Sequence, residues 1–302
     1  MIKIVLLGPN GQLGWELRRA LAPLGELLVL PRQPADSSLC GDLAYPDQLA
    51  KTLHRLRPDL VVNAGAYTAV DKAETERDLA ATINTEAPAA MALVMRELNG
   101  WLVHYSTDYV FDGSGDSPRD ELAPTGPLNV YGATKLAGEQ ALQASGCQHL
   151  IFRTSWVHAA RGGNFARTML RLAAEREQLR VIDDQVGAPT GADLLADVTA
   201  HALRQALNQP SLGGLYHLAA AGEVSWCAYA RHVLAWAQAQ GMALKAGPDA
   251  VRAITSADYP TPAARPLNSR LDTGRLRRAF KLNLPDWQHG VDRMLAESLN
   301  KP

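Results

Sequence analysis

The sequence predicts an α/β protein with a doubly wound parallel-sheet nucleotide domain and a smaller α/β substrate cap. Three observations predict it. Short apolar runs alternate with helical patterns through the first half of the chain, as in a parallel sheet covered by helices on both faces. The first of these runs passes directly into a glycine-rich turn that opens a helix. The second half is less regular and carries the proline cluster Tyr259-Pro260-Thr261-Pro262 and Arg265-Pro266, as an appended cap would.

Taken in order, residues 2–7 read as a strand, 14–24 as a helix, 26–30 as a strand, 45–56 as a helix and 60–63 as a strand. A long helical pattern follows over 78–98, then a strand over 101–105. A loop rich in Gly, Pro, Asp and Ser spans 112–127, before a helix over 131–143 and a strand over 149–153. Most of these strands are apolar runs rather than in-out alternations, because both of their faces are buried. Beyond them, 164–177 and 193–207 read as amphipathic helices, 215–218 as a strand, 225–240 as a helix, and a last helix begins near Thr273. The expected division is a nucleotide domain over 1–153, with segments near 181–220 returning to it, and a cap formed by 154–180 and 221–302. There is no internal repeat and no low-complexity segment.

Composition excludes several classes of function. The chain has 302 residues, 47% of them hydrophobic, enough to bury one large core or two modest ones. Thirty basic residues against 31 acidic ones give a net charge of -1. No overall field draws in DNA, RNA or an anionic membrane, so neither nucleic acid nor membrane is expected as a partner. An anionic substrate must then be held by a few local cations. The three cysteines, Cys40, Cys147 and Cys227, form no CxxC pair, which suggests neither a disulfide framework nor a cysteine zinc site. The apolar start, residues 4–7, is too short for a signal peptide or a membrane span. A cytoplasmic protein is expected.

The turn after the first strand is Gly8-Pro9-Asn10-Gly11-Gln12-Leu13-Gly14. Glycine permits a tight turn and close approach of a pyrophosphate, and the helix start supplies free N–H groups and a positive dipole end. Gly8, Asn10, Gly11, Gln12 and Leu13 are therefore candidate cofactor residues of a Rossmann-type site. The second strand ends in Leu30-Pro31-Arg32, with no carboxylate at its tip. Arg32 suits a 2′-phosphate, which points to NADPH over NADH; it reads equally as a surface arginine. Asp42 and Leu43 follow that strand near the expected adenine position, where Asp42 also reads as a helix cap.

Tyr131 and Lys135 stand four residues apart on a predicted helix, so both side chains share one face. A nearby ammonium favours the phenolate and lowers the tyrosine pKa, as general acid/base work near neutral pH requires. The strand over 101–105 runs into Ser106-Thr107-Asp108. Hydroxyls at the carboxyl end of such a strand lie where open α/β sheets bind ligands, and Thr107 suits the oxygen of a carbonyl being reduced. His104 and His217 sit in strand-like runs and read as core histidines, and Trp226 and Trp236 as packing residues.

In these residues the chain resembles the extended short-chain dehydrogenase/reductases, and within them the reductases of dTDP-linked 4-keto sugars. The runs that carry the resemblance include Gly11-Gln12-Leu13-Gly14-Trp15-Glu16-Leu17, Val62-Asn63-Ala64-Gly65-Ala66-Tyr67, Tyr105-Ser106-Thr107-Asp108-Tyr109-Val110-Phe111, Asp184-Gln185-Val186-Gly187-Ala188-Pro189-Thr190 and Arg265-Pro266-Leu267-Asn268-Ser269-Arg270. The resemblance implies reduction, by NADPH or NADH, of the C4 keto group of dTDP-4-dehydro-L-rhamnose, for surface polysaccharide. It implies that Tyr131 protonates the C4 oxygen and that Lys135 holds the nicotinamide ribose. Thr107 and Asp108 would contact the sugar, Trp156 would pack on it, and Ala64, Gly65 and Ala66 would line the cofactor. It also implies a homodimer and Mg²⁺ at acidic side chains between subunits, for which Glu16 and Asp193 are candidates; each reads otherwise as a solvated helix-end carboxylate. A pyrophosphate needs charge-assisted donors, and Arg265, then Arg270, are the candidates; each reads equally as a surface ion-pairing residue. A sugar-nucleotide epimerase or dehydratase and a non-catalytic NADP(H)-binding subunit are the rival readings. Related dehydratases carry an acid where this chain has Tyr109.

Overall fold

The computed structural model describes residues 1–299. Its centre is a six-stranded parallel sheet made of β1 (Ile2–Leu7), β2 (Gly25–Leu30), β3 (Leu60–Asn63), β4 (Trp101–Thr107), β5 (Gln148–Thr154) and, at the far edge, the strand Gly214–His217. The spatial order runs from Gly214–His217 through β5, β4, β3 and β1 to β2. After β2 the chain crosses back to start β3 on the other side of β1, so the strand order reverses between β1 and β3. The crevice at the carboxyl ends of those strands is where such sheets bind ligands. The register sets Leu7 beside Asn63, and the Ala64 amide donates to the Leu7 carbonyl at 3.1 Å.

Alternation along each strand divides the core in two. Ile4, Leu6, Val62 and Val103 face α1 (Gln12–Leu21) and the helices Ala192–Ala206 and Gly274–Phe280, through Leu17, Leu195, Leu203 and Phe280. Val5, Leu7, Val61 and Leu102 face α2 (Pro46–Leu56) and the helix Ala87–Glu97, through Leu49, Leu53, Met91 and Met95. Burial on both faces is what makes these strands continuous apolar runs.

The second half packs a core of its own, from the helices Phe165–Glu175, Trp226–Ala239 and Trp287–Leu299 around Met169, Tyr229, Val233, Trp287 and Val291. The strand around Val181 does not return to the large sheet. Leu179–Ile182 pairs with Val251–Ile254, because the β5 edge is already taken by Gly214–His217. The helical pattern over 78–98 is also interrupted. It divides into Arg77–Ala81, one widened π turn Thr82–Glu86, and Ala87–Glu97. Pro88 explains the break: it lacks an N–H, and its ring needs room at the carbonyl of Asn84. The turn has a use, since Asn84 clasps Tyr67 by both backbone groups, at 2.9 and 3.1 Å, and so pins the segment after β3. Among the described residues no helix is long and apolar enough to cross a membrane.

Candidate active site

The site grows from the switch point. Gly8 has φ +70°, a conformation that favours glycine, and a Cβ there would lie 2.5 Å from the Gly65 nitrogen. A Cβ on Gly14 would lie 2.0 Å from the Gly8 carbonyl oxygen. Those two glycines let loop, helix and β3 close on one another. Gly11 differs: a Cβ there would meet only the Gly8 carbonyl, at an ordinary 3.5 Å. Gly11 caps α1 with no side-chain acceptor, so the helix's first amides are left for an anion.

Gly8, Asn10, Gly11, Gln12, Leu13, Arg32, Ala64, Gly65, Ala66, Tyr131 and Lys135 all line one cleft of about 440 Å³. Leu43 supports it from beneath, its methyl carbons 3.2 Å from where a Cβ on Gly65 would be. Arg32 is exposed and its Nε donates to Asp42 at 2.7 Å. Asp42 is thus occupied by Arg32 and by the Ala44 amide. Tyr105, Ser106, Thr154 and Val157 also line the cleft and were missed as site residues. Their signal was available: each stands at or just past the carboxyl end of β4 or β5. The hydroxyls of Ser106 and Thr154 and the Gln12 amide oxygen are buried without a protein partner among the described residues. Such groups are costly to bury unsatisfied, and they fit a polar ligand. The residues present therefore suit a bound dinucleotide.

Thr107 ends β4, its hydroxyl accepting from the Tyr109 amide at 3.2 Å and donating to Asp108 at 3.1 Å. Asn129 caps the next helix, Val130–Ser145, through the Gly132 amide, and that helix carries Tyr131 and Lys135 into the cleft. Tyr131 stands edge-on to Tyr109, ring centres 5.5 Å apart. Burial pushes the Tyr131 hydroxyl up to about 12; the Thr107 hydroxyl opposes the rise and Asp108 adds to it. The expectation that Lys135 lowers this pKa is not met, because Lys135 is not among the groups that shift it. Instead the buried Lys135 ammonium position contacts the Tyr105 carbonyl at 2.6 Å and His104 Nε2 at 3.1 Å. Burial pulls Lys135 down to about 8, against the raising influence of Glu139. Burial likewise lifts the Asp108 carboxyl to about 6, opposed by the hydroxyls of Ser269 and Thr107. The phenol is thus protonated at rest, and it can give up its proton only where the phenolate left behind is stabilised.

The cap side differs more from expectation. Trp156 has a left-handed backbone, φ +48°, an uncommon state for a bulky residue. Its ring stacks on Trp226 at 3.6 Å, so Trp226 supports a candidate sugar-binding ring rather than only filling the core. The Gln12 side chain reaches across to the Gly163 carbonyl at 2.7 Å. The fork of Arg265 is not free: its terminal nitrogens hold both oxygens of Asp71, at 3.1 and 2.8 Å. Arg270 is engaged with Glu223. A pyrophosphate would have to displace these carboxylates. Glu16 and Asp193 come close enough to raise the Glu16 pKa, after the larger effect of burial and against Arg19. Each already has an arginine, Arg19 for Glu16 and Arg293 for Asp193. Among the described residues no three metal-ligating side chains converge.

A glycine phosphate loop at the switch point of a doubly wound sheet, opening onto a buried tyrosine and lysine, defines a Rossmann-type dinucleotide-binding protein. Residues 2–300 match the family described as RmlD substrate binding domain. The chain is similar to the dTDP-4-dehydrorhamnose reductase of Escherichia coli (strain K12), 55% identical over 98% of each chain. It is also similar to two solved dTDP-4-dehydrorhamnose reductases. That of Clostridium acetobutylicum has a TM-score of 0.87 at 30% identity, covering 98% of this chain and 99% of that one. That of Bacillus anthracis, solved in complex with NADP, has a TM-score of 0.85 at 33% identity with the same coverage. The chain belongs to the RmlD substrate-binding-domain family.

Proposed function

We propose that this protein is an NAD(P)H-dependent oxidoreductase that reduces the C4 keto group of dTDP-4-dehydro-L-rhamnose to give dTDP-L-rhamnose. One observation carries the reading: Tyr131 and Lys135 share a cleft with residues 8–13 of the glycine loop, in a chain 55% identical to a dTDP-4-dehydrorhamnose reductase. Gly8, Asn10, Gly11, Gln12 and Leu13 would hold the dinucleotide's pyrophosphate, Asp42 and Leu43 its adenosine end, and Ala64, Gly65 and Ala66 its inner face. When bound, the reduced nicotinamide supplies the hydride for the keto carbon. Tyr131, protonated at rest, gives its proton to the keto oxygen, which the Thr107 hydroxyl holds by a hydrogen bond. Lys135 binds the cofactor ribose and, as an ammonium, stabilises the phenolate left behind. Asp108 and Trp156, backed by Trp226, position the sugar. Arg32 favours NADPH. The protein acts in the cytoplasm as a homodimer, and the chemistry as derived uses no metal ligand of this chain.

The test is loss of NADPH absorbance with dTDP-4-dehydro-L-rhamnose, with dTDP-L-rhamnose identified as product. General acid catalysis contributes about 10²–10⁴-fold, so kcat of Tyr131→Phe should fall by that order while NADPH still binds. Sugar conversion without net NADPH loss would instead indicate an epimerase or dehydratase, and neither change a binding subunit.

A further inference from the structure

Lys135 does not reach the cleft alone. Behind it three side chains form a buried line from the turn after β3 to its own nitrogen. The Gly65 amide donates to Asn63 Oδ1 at 3.0 Å. Asn63 Nδ2 lies 3.2 Å from His104 Nδ1, and His104 Nε2 lies 3.1 Å from Lys135 Nζ. Asn63, His104 and Lys135 are all buried.

The donors and acceptors along this line can be assigned. A backbone N–H can only donate, so the Asn63 atom it meets is the oxygen, and the atom facing His104 is the amide nitrogen. That nitrogen can only donate, so His104 Nδ1 must be bare. Burial holds the His104 pKa well below 6.5, so the ring is neutral. A neutral imidazole with Nδ1 bare carries its proton on Nε2. Nε2–H therefore points at Lys135. An ammonium has three donors and no acceptor, whereas a neutral amine accepts from Nε2–H with its lone pair and still donates to the Tyr105 carbonyl at 2.6 Å.

We propose that His104 is a positioning residue of the reaction: locked by Asn63 as its Nε2–H tautomer, it presents a donor to Lys135 and favours the neutral amine. The proposal deepens the reductase reading and rests on it for the role of Lys135. When Lys135 takes up a proton from solvent, the ammonium that stabilises the Tyr131 phenolate faces the Nε2–H donor, and the imidazole can become an acceptor for it only by tautomerising and giving up its bond to Asn63. The Lys135 proton is thus held less tightly than that of a lysine facing only carbonyls. The same line ends on Gly65, which lines the cleft, so ligand contact at that turn and the charge on Lys135 are linked through one ring. Other charged or titratable groups around Lys135 do not supply the effect. Tyr131 and Glu139 lie on its own helix, and Glu139, paired with Arg153 of β5, raises its pKa rather than lowering it. On β4 the Tyr105 phenol is turned away to Thr199, and on β3 the facing group, Asn63, does not titrate.

Two measurements test this. The first is the nitrogen NMR spectrum of the wild-type protein labelled in histidine. A protonated Nε2 and a bare Nδ1 for His104, identified by its loss in His104→Gln, are expected; a protonated Nδ1 overturns the proposal whatever the variants do. The second is the alkaline limb of kcat/KM against pH. In His104→Gln the side-chain oxygen can turn to accept from the ammonium. In Asn63→Asp the carboxylate still accepts from Gly65 but now accepts from Nδ1–H, which reverses the tautomer and leaves Nε2 as an acceptor. Either change should move the limb to higher pH by about one to two units, the shift equivalent to one charge-assisted hydrogen bond. An active, folded His104→Gln with an unmoved limb overturns the proposal. Wild-type protein that oxidises no NADPH with any keto-sugar nucleotide overturns the reductase reading instead, and the NMR result stands apart from that outcome.

Discussion

Replacing Glu139 with glutamine is the most searching test of how the helix Val130–Ser145 is held. Glu139 and Arg153 are 1% and 4% exposed, and three contacts join them, at 2.6, 2.9 and 3.1 Å. Arg153 also stacks on the Phe111 ring, 5.1 Å from its centre, and its remaining terminal nitrogen has no partner among the described residues. Glutamine keeps the shape but removes the charge, so a guanidinium is left buried and uncompensated. Breaking one side of a buried pair costs about 3–5 kcal/mol, whereas replacing both members with apolar groups is often nearly neutral. At roughly 2–4 °C per kcal/mol for a protein of this class, Glu139→Gln should lower the melting temperature by on the order of 10 °C. Glu139→Gln with Arg153→Met should recover much of that loss. Circular dichroism during heating reads both. A fall of less than about 2 °C in the single variant would show that the pair is not desolvated as described. Activity gives a second readout. Glu139 opposes the burial that lowers the Lys135 pKa, so its loss lets the ammonium deprotonate at lower pH. The alkaline limb should then move down, opposite to the shift expected for His104→Gln.

The remaining predictions concern binding. Gly14→Ala places a Cβ 2.0 Å from the Gly8 oxygen and should lower stability as well as NADPH affinity. Gly11→Ala meets no close protein atom, so it should melt like the wild type yet bind NADPH about tenfold or more weakly, because the added methyl stands where a pyrophosphate approaches the backbone; unchanged affinity would remove Gly11 from the phosphate site. Arg32→Ala should weaken NADPH roughly five- to tenfold, the modest effect of an exposed charge, and leave NADH unaltered in fluorescence titrations; equal changes for both cofactors would refute its role with the 2′-phosphate. If Arg265 exchanges Asp71 for the substrate pyrophosphate, calorimetry should find dTDP binding weakened by Arg265→Ala and strengthened by Asp71→Asn. Weakening by both would make Arg265 a tether between the proline-rich segment and the nucleotide-binding half.

Local pattern was enough to recover most elements of the sheet and its phosphate loop. The run over 60–63 coincides with Leu60–Asn63, and the glycines at 8, 11 and 14 gained their meaning from standing between a strand and a helix. Tyr131 and Lys135 were legible because four residues on a helix fix a shared face before any tertiary contact forms. Partnerships between distant segments were not legible. Whether the strand near Val181 joined the large sheet depended on which edge was already taken. Arg265 read equally as a phosphate donor or an ion-pairing residue, and only the fold named Asp71 as its partner. Trp226 read as packing until the backbone at Trp156 turned left-handed and laid one ring on the other. His104 read as a core histidine, and it is one; only the fold gave its second nitrogen to Lys135 and its first to Asn63. The sequence by itself determined the elements, the loop and the reactive pair, because periodicity and spacing act over a few residues. The tertiary structure alone decided which charges are paired, which tautomer is held and which proton is loosely bound, because burial and hydrogen-bond partners come from residues tens to hundreds of positions away.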